Sequence, residues 1–167
     1  MRVAILTVSD SVAAGTRTNV SGEAIVAWCG ARGDTVVSQN TTADESAAIA
    51  AILVEWCDSA EVDVVFTTGG TGLSPRDVTP EATRAVIERE ASGIAEYLRA
   101  SSFMRFPRAA LSRGLAGVRG QSLVLNLPGS PGGVRDALAA LEPIIDHAVD
   151  VLRGITEHAA GDAGTPS

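Results

Sequence analysis

The chain contains no lysine: all 13 of its basic residues are arginine. That absence removes whole classes of chemistry. A Walker A loop needs a lysine on the β- and γ-phosphates and a kinase needs its strand lysine; Schiff-base, pyridoxal-phosphate and lysyl-adenylate mechanisms need a lysine amine as nucleophile. A base composition that favours Ala and Arg accounts for the bias, and the exclusion holds whatever its origin. Histidine and cysteine are nearly as scarce, with two of each. His147 sits in a late apolar segment and His158 close to the C-terminus, while Cys29 and Cys57 form no CxxC pair, so the ligand spacing of a zinc site is missing. Each cysteine follows a tryptophan near the end of a predicted helix and reads as core packing, with a disulfide or a reactive thiol as the alternative.

Positive charge is also in deficit, with 20 acidic residues against 13 basic and a formal net charge of -7. No arginine cluster offsets it, which argues against a nucleic-acid surface and leaves any anionic ligand to be bound locally. The apolar run after Met1 is too short for a signal peptide or a membrane span, so a soluble cytoplasmic protein is expected. What is present suits a compact chain: 167 residues, 46% of them hydrophobic, enough for one core without disulfides or a structural metal. Residues 1–155 are expected to form a single domain and 156–167 a frayed polar tail.

Strand and helix patterns alternate. Arg2 to Ser9 reads as a buried parallel strand, Asp10 to Ser21 as a loop, Gly22 to Arg32 as a helix and Thr35 to Asn40 as a more polar strand. Thr42 to Glu45 has the spacing of a capping box, and Ile49, Ile52, Leu53, Trp56 and Ala60 then mark the apolar face of a helix. Val62 to Thr67 is a third strand that runs into Gly69 to Gly72. Thr79-Pro80-Glu81 opens a helix expected to reach about Glu90, and another spans Gly93 to Ser102. Leu111 to Val118 and Ser122 to Leu127 flank the turn signal Arg119-Gly120 and predict a hairpin. From Val134 to Ile155 an apolar stripe keeps phase across Pro143, predicting one kinked helix whose stripe is either core or a subunit interface.

These units predict an α/β fold: a three-layer sandwich with a mostly parallel mixed sheet and helices on both faces. Ligands in such folds sit at the carboxyl ends of the strands. Ser9 and Asp10, Asp44, the Gly69 to Asp77 loop and the Asn126 to Gly133 loop therefore gather on one rim. Gly69, Gly70, Thr71 and Gly72 offer backbone amides with little steric cover, which suits a phosphate when no lysine is available. Ser74, Arg76 and Asp77 follow within five residues and add a hydroxyl, a guanidinium fork and a carboxylate. A carboxylate beside a phosphate is explained by a divalent cation between them, with Asp77 and then Asp44 as candidate Mg²⁺ ligands. Each also has a bland reading, Asp77 capping a turn and Asp44 serving as a first-turn helix acid.

Three segments then carry a resemblance: TTGGTGLSPRDVTPEAT (Thr67 to Thr83), ALSRGLAGVRG (Ala110 to Gly120) and LNLPGSPGG (Leu125 to Gly133). With VSDSVAAGTRTNVSG (Val8 to Gly22), they resemble the MogA/MoaB family of molybdenum-cofactor biosynthesis over about residues 2–154, and more closely its MogA and G-domain branch. The resemblance implies a MogA/MoaB-like molybdopterin-binding fold and a homotrimer. It also implies Mg²⁺-dependent transfer of adenylate from ATP to molybdopterin, with handover of the product to a molybdate-inserting protein, and neither nucleic acid nor membrane as partner.

Carried over by position, the family's two aspartates fall on Asp44 and Asp77, and its pterin-associated serine on Ser112, with Arg113 beside it. The phosphate and nucleotide loops fall on Gly69 to Gly72 and on Asn126, Pro128, Gly129 and Ser130. Ala43 stands where relatives commonly have proline, which bears on the rigidity of the Asp44 loop. The alternatives are a non-enzymatic molybdopterin-binding or scaffold trimer, and a dinucleotide pyrophosphatase of the competence-damage type, against which the NLPG and ALSR segments argue.

Overall fold

The computed structural model describes residues 1–155; the tail expected over 156–167 lies outside the described residues. Six strands form one sheet: β1 (Arg2–Val8), β2 (Thr35–Thr42), β3 (Val64–Thr68), β4 (Arg89–Glu90), β5 (Ala116–Arg119) and β6 (Ser122–Leu127), in the order β2-β1-β3-β6-β5-β4. β2, β1, β3 and β6 are parallel; β5 runs antiparallel to β6, and β4 antiparallel to β5. The alternation of a pleated strand sends successive side chains to opposite faces. Val3, Ile5, Val64, Phe66, Leu123 and Leu125 pack on one side with α2 (Val20–Arg32), α5 (Ser92–Phe103), α6 (Pro131–Leu141) and α7 (Ile145–Leu152). Ala4, Leu6, Val8, Val65 and Val124 pack on the other with α3 (Ser46–Asp58) and α4 (Thr79–Val86). Both faces are covered, which is why β1, β3 and β6 read as unbroken apolar runs while the edge strand β2 alternates and stays half-exposed.

Several boundaries differ from the sequence expectation, each for a local reason. The predicted loop after β1 holds a short helix, α1 (Asp10–Ala13), whose first turn is capped by the Ser9 hydroxyl accepting from the Val12 amide. α2 starts two residues early because Asn19 Oδ1 accepts from the Gly22 amide at 3.0 Å. No capping box forms at Thr42: the register pairs Thr42 with Val8, so its backbone belongs to the sheet, and α3 begins at Ser46. Asp44 is consequently a loop residue rather than a first-turn acid. α4 stops at Val86, where Ile87 turns extended and the next residues are captured as β4 by the edge of β5. The first hairpin strand is only Ala116–Arg119; Pro107–Leu111 is a 3₁₀ turn, and Ser112 to Leu115 form a connection.

The predicted kinked helix is two helices, broken around Pro143, whose ring supplies no amide. Val134, Leu138, Leu141 and Ile145 of its stripe are nonetheless buried against the sheet, so that part is core, whereas Ile155 at its end is exposed. Both cysteines are free and buried, and burial pushes each thiol up to about 11, consistent with packing rather than reactivity.

One buried acid fastens the end of α7 to the sheet. Asp63 accepts from the Arg2 amide at 2.6 Å and the Arg2 guanidinium at 2.9 Å, and pairs with Arg153 at 2.7 Å. Burial opposes its charge, but these bonds outweigh it and bring the carboxyl down to about 2. A lowered folded pKa contributes stability above the unfolded value near 4, and that contribution fades as pH falls through about 2. Asp63→Asn is expected to lower stability at neutral pH by roughly 2 kcal/mol and to flatten the pH 4-to-2 limb in urea titrations; parallel limbs would count against this role.

Candidate active site

α2, which follows β1, lies on one face of the sheet and α4, which follows β3, on the other, so a crevice opens at the carboxyl ends of these two paired strands, where the outgoing chains part. The loop after β3 is folded tightly into it. Gly69 has φ +102°, and a Cβ there would sit 2.2 Å from the Val8 carbonyl oxygen; Gly70, with φ +62°, packs nearly as closely on the Thr79 hydroxyl. Every carbonyl of the loop is claimed by the protein. Gly69 O accepts from the Thr79 hydroxyl, Gly70 O from the Thr79 amide, Thr71 O from the Arg113 amide and Gly72 O from Arg113 Nε. The amides of Gly70, Thr71 and Gly72 have no acceptor among the described residues, and all three residues line cavities. An unpaired run of amides with its carbonyls turned away is what an anion requires.

Two cavities meet at this loop. The first, about 390 Å³, lies at the β1–β3 crevice and is lined by Ser9, Arg17, Asp44, Gly69, Asp77 and Ser130, among others. The second, about 690 Å³ and more apolar, runs between the same loop and the α5 side, past Thr71, Gly72, Phe106, Ser112, Pro128 and Ser130. Gly70, Asp77, Gly129 and Ser130 belong to both, so Asp77 stands at the junction. The Gly129 wall is held by Ser21, whose hydroxyl donates to Gly129 O, and by Thr68, whose hydroxyl donates to Pro128 O.

Asp10 and Asp44 clamp each other's loops: the Asp10 amide donates to Asp44 Oδ2 and the Asp44 amide to Asp10 Oδ1, both at 3.0 Å. Arg76 closes the arrangement from outside, donating to both Asp10 oxygens and to Glu45. The two acids thereby separate in character. The Asp44 amide and then Arg76 hold the Asp10 carboxyl below its ordinary range. Burial pushes the Asp44 carboxyl up, helped by the nearby Asp10 and Asp77 charges and opposed by the Asp10 amide. Asp77 Oδ2 accepts from the Ser74 amide at 2.8 Å. Asp44 and Asp77 thus each have one oxygen fixed by an amide and the other without a partner among the described residues, whereas Asp136 of the second cavity pairs with Arg105.

The residues singled out from sequence divide accordingly. Ser9, Asp44, Gly69 to Gly72, Asp77, Ser112, Pro128, Gly129 and Ser130 line one or both cavities. Asp10, Ser74, Arg76, Arg113 and Asn126 line neither, and hold the walls instead. Arg113 donates to Gly72 O and Asp77 O and pairs with Glu81, so its guanidinium is spent on the glycine loop. Asn126 is buried beneath, with Nδ2 donating to Thr67 and Thr83 and Oδ1 accepting from the Leu115 amide, which leaves it nothing for a nucleotide. Sequence reasoning missed Arg17 in the first cavity and Ser102, Arg105, Phe106 and Arg108 in the second. The one signal for the latter was SSFMRFPRAAL, where Phe and Met alternate with Arg in no regular period.

Comparison with known proteins agrees with this architecture. The family described as "Probable molybdopterin binding domain" matches residues 4–147. The chain belongs to this family. A molybdopterin adenylyltransferase of Helicobacter pylori J99 is 37% identical over 164 residues, covering 92% of this chain and 89% of the relative. The Drosophila melanogaster molybdenum cofactor synthesis protein cinnamon is 39% identical over 149 residues, and there the match takes in 89% of this chain but 25% of the larger protein. The crystal structure of the molybdopterin biosynthesis enzyme MoaB from Thermus thermophilus superposes with a TM-score of 0.87 at 45% identity, covering 92% of this chain and 96% of that one. The expected α/β sandwich and the MogA/MoaB assignment are both borne out.

Because the Asp77 charge helps to raise the Asp44 pKa, Asp77→Asn is expected to lower it. Carboxyl ¹³C NMR titration of Asp44 in the two proteins measures this directly, and an unchanged midpoint would mean that the two carboxylates do not share one field.

Proposed function

We propose that this chain is a molybdopterin adenylyltransferase, acting in molybdenum-cofactor biosynthesis with ATP and molybdopterin as substrates. The observation that carries the reading is the meeting of two cavities at Asp77, beneath a loop whose amides are free and whose carbonyls are not. ATP occupies the first cavity with its phosphates at the Gly70 amide, where the two cavities meet; molybdopterin occupies the second, its phosphate at the Thr71 and Gly72 amides, its ring system against Phe106 and its polar edge near Ser112. An oxygen of the terminal phosphate of molybdopterin attacks the α-phosphorus of ATP. The new P–O bond forms as the bond from the α-phosphorus to the bridging oxygen breaks, and that oxygen keeps the electron pair in the departing pyrophosphate.

No general base is needed, since a phosphate monoester is already ionised at neutral pH. That suits a chain whose described cavities contain no histidine. Positioning and charge neutralisation therefore supply the rate effect. Ser130 and Gly129 wall the junction, while Ser9 lines the first cavity; Arg113 and Asn126 act through the loops that they brace.

The acids fit a magnesium ion. Among the described residues no group of three or more His, Cys, Asp or Glu side chains could cage a metal, and Mg²⁺ characteristically takes one or two carboxylates plus substrate phosphates. Asp44 and Asp77, each with one unclaimed oxygen, would hold it. When bound, it neutralises charge on the α- and β-phosphates.

We propose a cytoplasmic location, in keeping with ATP as substrate; no described helix is long and apolar enough to cross a membrane. We also propose a homotrimer, with exposed Phe103, Met104 and Leu111 beside the second cavity as candidate contact residues, and handover of the product to a molybdate-inserting protein.

The test is a reaction of purified protein with molybdopterin, ATP and Mg²⁺. Pyrophosphate and adenylyl-molybdopterin are expected in equal amounts and lost on chelation. Asp77→Asn is expected to keep pterin binding and to lose on the order of a hundredfold or more in turnover. Tight pterin binding without either product would replace this reading by a binding or scaffold protein.

A further inference from the structure

The arginines around the rim are nearly all committed. Arg76 is bound to Asp10 and Glu45, Arg113 to two loop carbonyls and Glu81, Arg105 to Asp136, and Arg99 to Gly114 O. Arg17 differs. It lines the first cavity together with Asp44 and Asp77, and its guanidinium has neither an acid nor a carbonyl partner among the described residues. Its backbone, in contrast, is fastened. The amides of Thr16 and Arg17 both donate to Ser11 O, the Thr16 hydroxyl donates to the same oxygen, and Asn19 accepts from the Thr7 hydroxyl of β1. The cavity thus has two carboxylates, the unpaired Gly70 amide and a single cation, held on a short pinned connection between α1 and α2.

Charge neutralisation in such a cavity is incomplete without that cation. A nucleoside triphosphate brings about four negative charges at neutral pH, and two carboxylates already line the walls. The free amides, and any cation that Asp44 and Asp77 would hold, lie near the junction with the second cavity. The β- and γ-phosphates, which depart together, need a positive group away from that junction. A guanidinium suits them, because its planar fork takes two phosphate oxygens at once.

We propose that Arg17 grips the β- and γ-phosphates of the bound nucleoside triphosphate and stabilises pyrophosphate as it leaves. This rests on the assignment of ATP to the first cavity. It makes Arg17 the residue that distinguishes a triphosphate from a monophosphate. The side chain is exposed and makes no hydrogen bond among the described residues, so its removal is expected to leave the fold intact.

Calorimetric titration of ATP, AMP and pyrophosphate into wild-type, Arg17→Ala and Arg17→Lys proteins, with melting temperatures as a control, tests the proposal. Arg17→Ala is expected to weaken ATP and pyrophosphate on the order of tenfold to a hundredfold and AMP hardly at all, with Arg17→Lys between. In the reaction with molybdopterin, ATP and Mg²⁺, kcat is expected to fall while the KM for molybdopterin stays unchanged. Equal ATP and pyrophosphate affinities in wild type and Arg17→Ala would overturn the role of Arg17 while leaving the adenylyltransferase reading standing. Arg17-dependent binding of both without adenylyl product would support Arg17 and overturn that reading; no ATP binding by the wild type would overturn both.

Discussion

A steric constraint underlies the rim: the carbonyl oxygen of Val8 occupies the place where a side chain on residue 69 would begin. Only a glycine passes there, and only with a positive φ, so the chain leaves β3 by a sharp turn that lays the loop across the end of β1. Gly129 also comes close, with Gly69 Cα lying 3.2 Å from the position of its own absent Cβ. The loops that leave the paired ends of β1, β3 and β6 thereby pack backbone against backbone at residues 8, 69 and 129. The cavities lie on either side of that junction because no side chain there is large enough to fill them.

Once the loop is forced into this path, its polarity follows from hydrogen-bond accounting. Buried carbonyls seek donors, and Thr79 and Arg113 supply them from the protein side. The amides are left facing the cavities by default. Arg113 and Asn126, chosen from sequence as ligand contacts, turn out to be the braces that make this possible. Their chemical character pointed to the right place, but a guanidinium or an amide matches a carbonyl of the protein as readily as a group on a substrate. Sequence spacing alone does not distinguish the two.

The sheet was legible because β1, β3 and β6 are buried on both faces and bear an unbroken apolar signature, and because the glycine-rich turns fell at their ends. The placement of Asp44, Asp77 and Ser112 on the cavity walls was legible for the same reason: strand ends in such folds share a rim. Less visible was anything decided by competition between neighbours. Thr42 fits a helix cap as well as a strand end, and pairing with Val8 decides it; Ile87 to Glu90 continues a helical pattern, and the open edge of β5 captures it. Around Pro143 the apolar phase persists while the helix does not, because both halves face the same sheet. Phe106 and Arg108 had no periodic signal, since they belong to a turn whose packing partner is a cavity.

The shared wall has a thermodynamic corollary. Gly70, Asp77, Gly129 and Ser130 border both cavities, so a molecule seated in one supplies part of the boundary of the other. Any change that occupancy of one side makes to the binding free energy on the other must, by linkage, be identical in both directions. Four shared residues would be the whole route for such coupling, with no hinge needed to convey it.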